Sequence, residues 1–169
     1  THKWKATRLF NGENWLPADS VIITDAEGKI QDIINSSEAG DDVEEFDGIL
    51  LPGLINGHCH LELSHMRNVI PPHTGLVEFL CSVVSKRDFD PDLIQEAIRK
   101  ADQEMFENGI VAVGDIGNTA DTLETKKHSR IRWMNFVEVL SFVDENAEAR
   151  MEHYSQIRDQ FLRELPSPH

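Results

Sequence analysis

Over the first fifty residues, apolar and β-branched positions come in short bursts separated by turn-forming residues. "WKATRLF" and "SVIITD" carry the aromatic and branched side chains that favour extended chain, and Asn11-Gly12 marks a turn between them. "DAEGKIQDII" reads as a hairpin turning near Glu27-Gly28, with Ile30, Ile33 and Ile34 on its return arm. A polar loop, "NSSEAGDD", precedes a further short strand at "VEEFDG". The pattern predicts a small all-β unit over residues 1–50, a sheet that needs something to pack against.

The periodicity then changes. An apolar strand, "GILLPGLIN", runs into the triplet His58-Cys59-His60, and a Pro-rich loop, "SHMRNVIPPHTG", follows. Asp90-Pro91 supplies an N-cap and a first-turn proline, after which Leu93, Ile94, Ala97, Ile98, Ala101 and Met105 share one helical face up to a stop at Gly109. "IVAVGDI" reads as a buried strand, residues 119–128 as a short helix, "IRWMNFVEVLSFV" as a strand over 131–143, and residues 144–165 as a long helix. From residue 50 onward strand and helix alternate, which implies an α/β fold with a parallel sheet and right-handed crossovers. Three βα units do not close an eight-stranded barrel. The unit is therefore either a small open sheet or the first part of a barrel.

A formal net charge of −14 opposes binding to nucleic acid phosphates or anionic membrane surfaces. No apolar run has the length of a bilayer span. The expected partner is a small-molecule substrate, with no nucleic acid and no membrane. Two cysteines, Cys59 and Cys81, form no disulfide framework and point to a reducing, cytoplasmic setting. The chain starts at Thr1 without a signal-peptide pattern, and is expected to be a portion of a longer protein.

The chemistry centres on the triplet. Residues i and i+2 of a strand project from one face, roughly 6.5–7 Å apart at Cα, so His58 and His60 can converge on one ion while Cys59 turns into packing. Neutral imidazole suits zinc, iron, copper or nickel. The spacing alone is a weak signal. Its placement strengthens it, because the pair closes the C-terminal end of an apolar strand, where parallel α/β folds carry their chemistry.

"LLPGLINGHCHLELS" closely resembles the first barrel strand of the amidohydrolase superfamily, in its cytosine deaminase, chlorohydrolase and ATZ/TRZ-like branch. "NGIVAVGDIGN" resembles the second strand, and the combination "HLELSH…TGL…GDIGN…FVEVL" looks most like the aminofutalosine-deaminase-like members. The resemblance implies the N-terminal part of a (β/α)8 TIM-type barrel over residues 51–169, preceded over residues 1–50 by part of a small β-sandwich. It implies that His58 and His60 bind one divalent metal ion, zinc or iron, which supplies hydroxide from bound water to an amidine-like ring carbon. The implied activity is that of a metal-dependent hydrolase of carbon–nitrogen bonds other than peptide bonds, a deaminase acting on an amino-substituted heterocycle, and a homo-oligomer. The general acid and base, the later histidines and the last-strand aspartate belong to sequence beyond this portion, which is not expected to be active alone. A non-catalytic amidohydrolase-like scaffold that works through assembly is the alternative.

Other candidates flank the pair. Glu62, two residues beyond His60, and Glu138, late in the third strand, are candidate substrate contacts. Asp115, ending the second strand, reads as a hydrogen-bond acceptor for loop amides. His65 and His73 lie in the Pro-rich loop. His128 and His153 read as surface residues, and His169, in a Pro-broken tail, is not taken as a ligand.

Overall fold

Extended chain stops at Leu50 and resumes at Leu54, because Pro52 has no amide hydrogen to give to a strand ladder. The apolar run expected as one strand is thereby shared between two sheets. The computed structural model describes residues 1–140 and 144–165, and the chain divides into two units, Thr1–Pro52 and Gly53–His169.

In the first unit, β1 (His2–Leu9) pairs antiparallel with β2 (Ser20–Thr24), and β2 pairs antiparallel with β3 (Ile30–Asn35). β4 (Glu44–Leu50) adds to the other edge of β1 in parallel, giving the order β3-β2-β1-β4. Gly28 takes φ +83° in the β2–β3 turn, a conformation that favours glycine. Ala6, Leu9 and Val21 are buried, whereas Ile33, Phe46 and Ile49 remain exposed on a small sheet with uncovered apolar surface.

In the second unit, β5 (Leu54–Cys59), β6 (Ile110–Gly117) and β7 (Arg132–Val137) form a parallel sheet in the order β5-β6-β7. This is the parallel arrangement that the alternation implies, within a mixed α/β fold. After β5 the chain makes a 3₁₀ turn, Leu61–Met66, then helices α1 (Leu76–Lys86) and α2 (Pro91–Glu107). α2 begins as expected, with the Asp90 side chain accepting from the Asp92 amide, and it buries Ile98 completely. Leu93 departs from the expected face and stays 59% exposed, in the first turn of the helix.

Four features differ from the sequence reading. The sequence reading assigns no element to residues 76–86, although Glu78, Ser82 and Ser85 of α1 fall on one stripe; none of the helix's residues is buried. The third strand ends at Val137 rather than continuing to 143; residues 138–140 are not strand, and 141–143 lie outside the described residues. The short helix α3 spans only Leu123–His128, and the last helix, α4, begins at Ala147 after a 3₁₀ turn, Asp144–Asn146. α4 packs Tyr154, Ile157 and Phe161 around Leu123 of α3, with Val137 and Leu165 at the margin. His169 lies outside the described residues. Among the described residues, no helix is long and apolar enough to cross a membrane.

Candidate metal centre

The site is set by strand register. Cys59 lies in register with Asp115, and Asp115 with Asn135, so these three form one row across β5, β6 and β7. Alternation then sends His58 and His60, on either side of Cys59, to the opposite face of the sheet. The β5–β6 ladder slips between Asn56 and Cys59, a local irregularity immediately before the imidazoles. Gly114 accommodates it: a Cβ there would stand 2.9 Å from the Gly57 carbonyl oxygen.

The two imidazoles converge, with ring centroids 5.1 Å apart and planes at 73°. An ion about 2.0–2.1 Å from one nitrogen of each ring sits about 3.2 Å from each ring centre, and a tetrahedral angle then separates the centres by about 5.2 Å. The observed separation of the ring centres is close to that value. Among the described residues, no group of three or more His, Cys, Asp or Glu gathers as a metal cluster. His58 is exposed and His60 half-buried.

Cys59 turns away from this face. Burial first, and the nearby Asp115 carboxylate second, push its thiol up to about 11, so it stays neutral at physiological pH and packs as a small apolar group.

Beneath the pair lies a set of buried charges. Asp115 Oδ1 accepts from the Leu61 amide at 2.8 Å, and Asp115 Oδ2 lies 2.5 Å from Lys126 Nζ. The Lys126 ammonium also donates to Asn135 Oδ1 at 2.5 Å and sits 4.9 Å from the Trp133 ring centre. Burial pulls the lysine below its ordinary value, while the Asp115 charge opposes that shift.

Glu62 does not continue the alternation of His58 and His60, because the chain enters the 3₁₀ turn at Leu61. It is 3% exposed, and both of its oxygens are engaged by protein donors. Oε1 accepts from Arg87 at 3.0 Å, while Oε2 accepts from the Asn118 and Thr119 amides and the Thr119 hydroxyl at 2.9–3.0 Å. Glu138 sits one residue past β7 and is exposed, with its amide donating to Gly117 O at 2.8 Å. His65 packs edge-on against Phe89 with Nε2 3.0 Å from the Arg87 carbonyl oxygen. His73, His128 and His153 are exposed.

Sequence reading missed Lys126, Arg87 and Asn135. A signal was present for Lys126: it follows Leu123 by three residues and so shares the face of α3 that carries a buried leucine.

The fold has counterparts among known proteins. The chain resembles aminofutalosine deaminase of Helicobacter pylori, solved with methylthio-coformycin, with TM-score 0.72 and 22% identity over 94% of this chain and 41% of that one. It resembles guanine deaminase of C. acetobutylicum, solved with bound guanine, with TM-score 0.69 and 16% identity over 94% of this chain and 42% of that one. Atrazine chlorohydrolase of Arthrobacter aurescens, complexed with zinc, gives TM-score 0.64 and 24% identity over 95% of this chain and 43% of that one. The chain thus spans about two fifths of the length of these solved relatives, and at such identities the likeness is one of fold. No curated protein sequence matches it. The strand that ends in paired imidazoles nevertheless falls inside a family match that runs over residues 49–166, and on that match the chain belongs to the amidohydrolase family.

Proposed function

We propose that this chain is the N-terminal portion of a metal-dependent hydrolase of non-peptide carbon–nitrogen bonds, a deaminase whose substrate is an amino-substituted heterocycle. His58 and His60 hold its divalent ion, zinc, with iron as the alternative. The observation that carries this reading is the convergence of the two rings, 5.1 Å apart, at the C-terminal end of a parallel strand. The bound ion would lower the pKa of a coordinated water and make hydroxide available near neutral pH.

The chain's own residues build one wall of the site. His58 and His60 lie on the face of the sheet opposite Cys59. Glu138, exposed beyond β7, is a candidate contact for substrate. Glu62 acts at one remove, by fixing the Asn118–Thr119 loop through three hydrogen bonds. Proton transfer falls to residues outside this portion, which would not turn over by itself.

The wider architecture belongs to the same proposal. Residues 1–50 form part of a small β-sandwich, residues 51–169 form the first three βα units of a (β/α)8 barrel, and the whole protein is a cytoplasmic homo-oligomer. Deaminase relatives solved with guanine and with methylthio-coformycin support the substrate class, and the zinc complex of the chlorohydrolase supports the metal.

The test is ammonia release by the full-length protein from a panel of aminopurines and aminotriazines. Turnover is expected to vanish on chelation and to return with zinc or iron(II). Turnover unchanged by exhaustive chelation would overturn the metal reading.

A further inference from the structure

We infer that Asp115 and Lys126, with Glu62, are positioning residues for the imidazole pair, bracing the peptide that follows His60. The inference rests on the metal reading of His58 and His60 given above.

Three consecutive groups around His60 are tied down. The His60 carbonyl oxygen accepts from the Leu63 amide at 3.0 Å. The next amide, Leu61 N–H, donates to Asp115 Oδ1 at 2.8 Å. The following side chain, Glu62, is fixed at four points on Arg87, Asn118 and Thr119. The peptide plane between His60 and Leu61 is thereby held, and with it the His60 backbone at φ −125°, ψ 75°.

Asp115 is itself held. Its second oxygen pairs with Lys126 Nζ at 2.5 Å, and Lys126 reaches across to Asn135 on β7, also at 2.5 Å. The side chains of Asp115 and Lys126 are 3% and 2% exposed. A buried ion pair is a poor way to gain stability, because well-packed apolar side chains in its place are often as stable or more so. What the ion pair provides, and a leucine does not, is a carboxylate oxygen of fixed position aimed at one amide. That amide is the one next to His60. The carboxylates of Asp115 and Glu62 are each matched by a cation, Lys126 and Arg87, so neither carries an uncompensated charge beneath the metal face.

The test measures zinc affinity of the full-length protein by competition with a chelating dye. It is run at a temperature where circular dichroism shows each variant folded. Asp115→Asn and Lys126→Met are each expected to weaken zinc binding at least tenfold while leaving one site at saturation. The double variant D115N/K126M should bind no more weakly than the worse single one. Val21→Ala, a core change in the first unit, should leave zinc affinity within twofold at a comparable loss of melting temperature. If both brace variants are folded and bind zinc within twofold of the native protein, the inference is overturned. Should neither fold, Asn135→Ala, which removes only the outer acceptor of Lys126, is expected to weaken zinc at least threefold, and no change would overturn the inference. His58→Ala separates the two readings. If it retains zinc, the metal assignment fails and the brace fails with it; if it loses zinc while D115N and K126M keep it, only the brace fails.

Discussion

Gly114→Ala tests how closely β6 must approach the imidazole strand. A Cβ at Gly114 would stand 2.9 Å from the Gly57 carbonyl oxygen and 3.4 Å from the Phe136 ring. Ordinary carbon–oxygen contacts begin near about 3.3 Å, so backbone, not a flexible side chain, has to move by about 0.4 Å. Overpacking of this kind costs about 1–3 kcal/mol. Against it stands the gain of about 0.5–1 kcal/mol from replacing glycine inside a strand. The net expectation is a loss of about 1 kcal/mol. Gly57→Ala is the control: among the described residues nothing lies within 4 Å of its Cβ and its φ is outside the left-handed region, so within this portion only the gain of about 0.5–1 kcal/mol applies. Urea titration of the full-length protein should therefore move in opposite directions for two alanines on neighbouring strands. Because Gly57 directly precedes His58, G114A should also bind zinc more weakly. A G114A protein as stable as the native one, with native zinc affinity, would refute the close-approach reasoning.

Asp102 offers a pH test, because burial, only partly offset by the Ser129 hydroxyl and Arg130, raises its carboxyl above the ordinary range. The folded state then holds that proton to higher pH than the unfolded state, so this group's contribution to stability falls as pH rises through the raised value. The stability of Asp102→Asn relative to native is expected to grow from acid pH towards pH 7 and then level off; a flat difference across that range in urea titrations would contradict it. The 169-residue chain produced alone should self-associate, since β5 and β7 are the outer strands of their sheet and Ile55, Met134 and Phe136 are 75%, 49% and 52% exposed. Light scattering checks this, and a monodisperse monomer at micromolar concentration would contradict it.

The features legible in the sequence are those fixed by local chemistry. Asp90-Pro91 announced the start of α2, and strand alternation announced that His58 and His60 share a face with Cys59 turned away. Asp115 was legible as an acceptor for a loop amide, which proves to be that of Leu61. Features that depend on tertiary partners were not legible. Glu62 continues the i+2 spacing in sequence, but that spacing holds only while the chain is extended, and the 3₁₀ turn at Leu61 rotates the carboxylate towards Arg87 and Thr119. Lys126 shares the buried face of α3 with Leu123, but its ionic partner, Asp115, eleven residues earlier on β6, is set by the tertiary fold. α1 carries Glu78, Ser82 and Ser85 along one stripe, so a helical period was present between the Pro-rich loop and Asp90 and was left unread.

The most direct measurement is the metal content of the full-length protein and of its His58→Ala and His60→Ala variants, after equilibration with zinc and removal of the excess. About one zinc ion per chain is expected in the native protein, falling towards zero in each variant while circular dichroism shows the fold retained. Native zinc content in either folded variant would contradict the assignment of these two histidines as metal ligands.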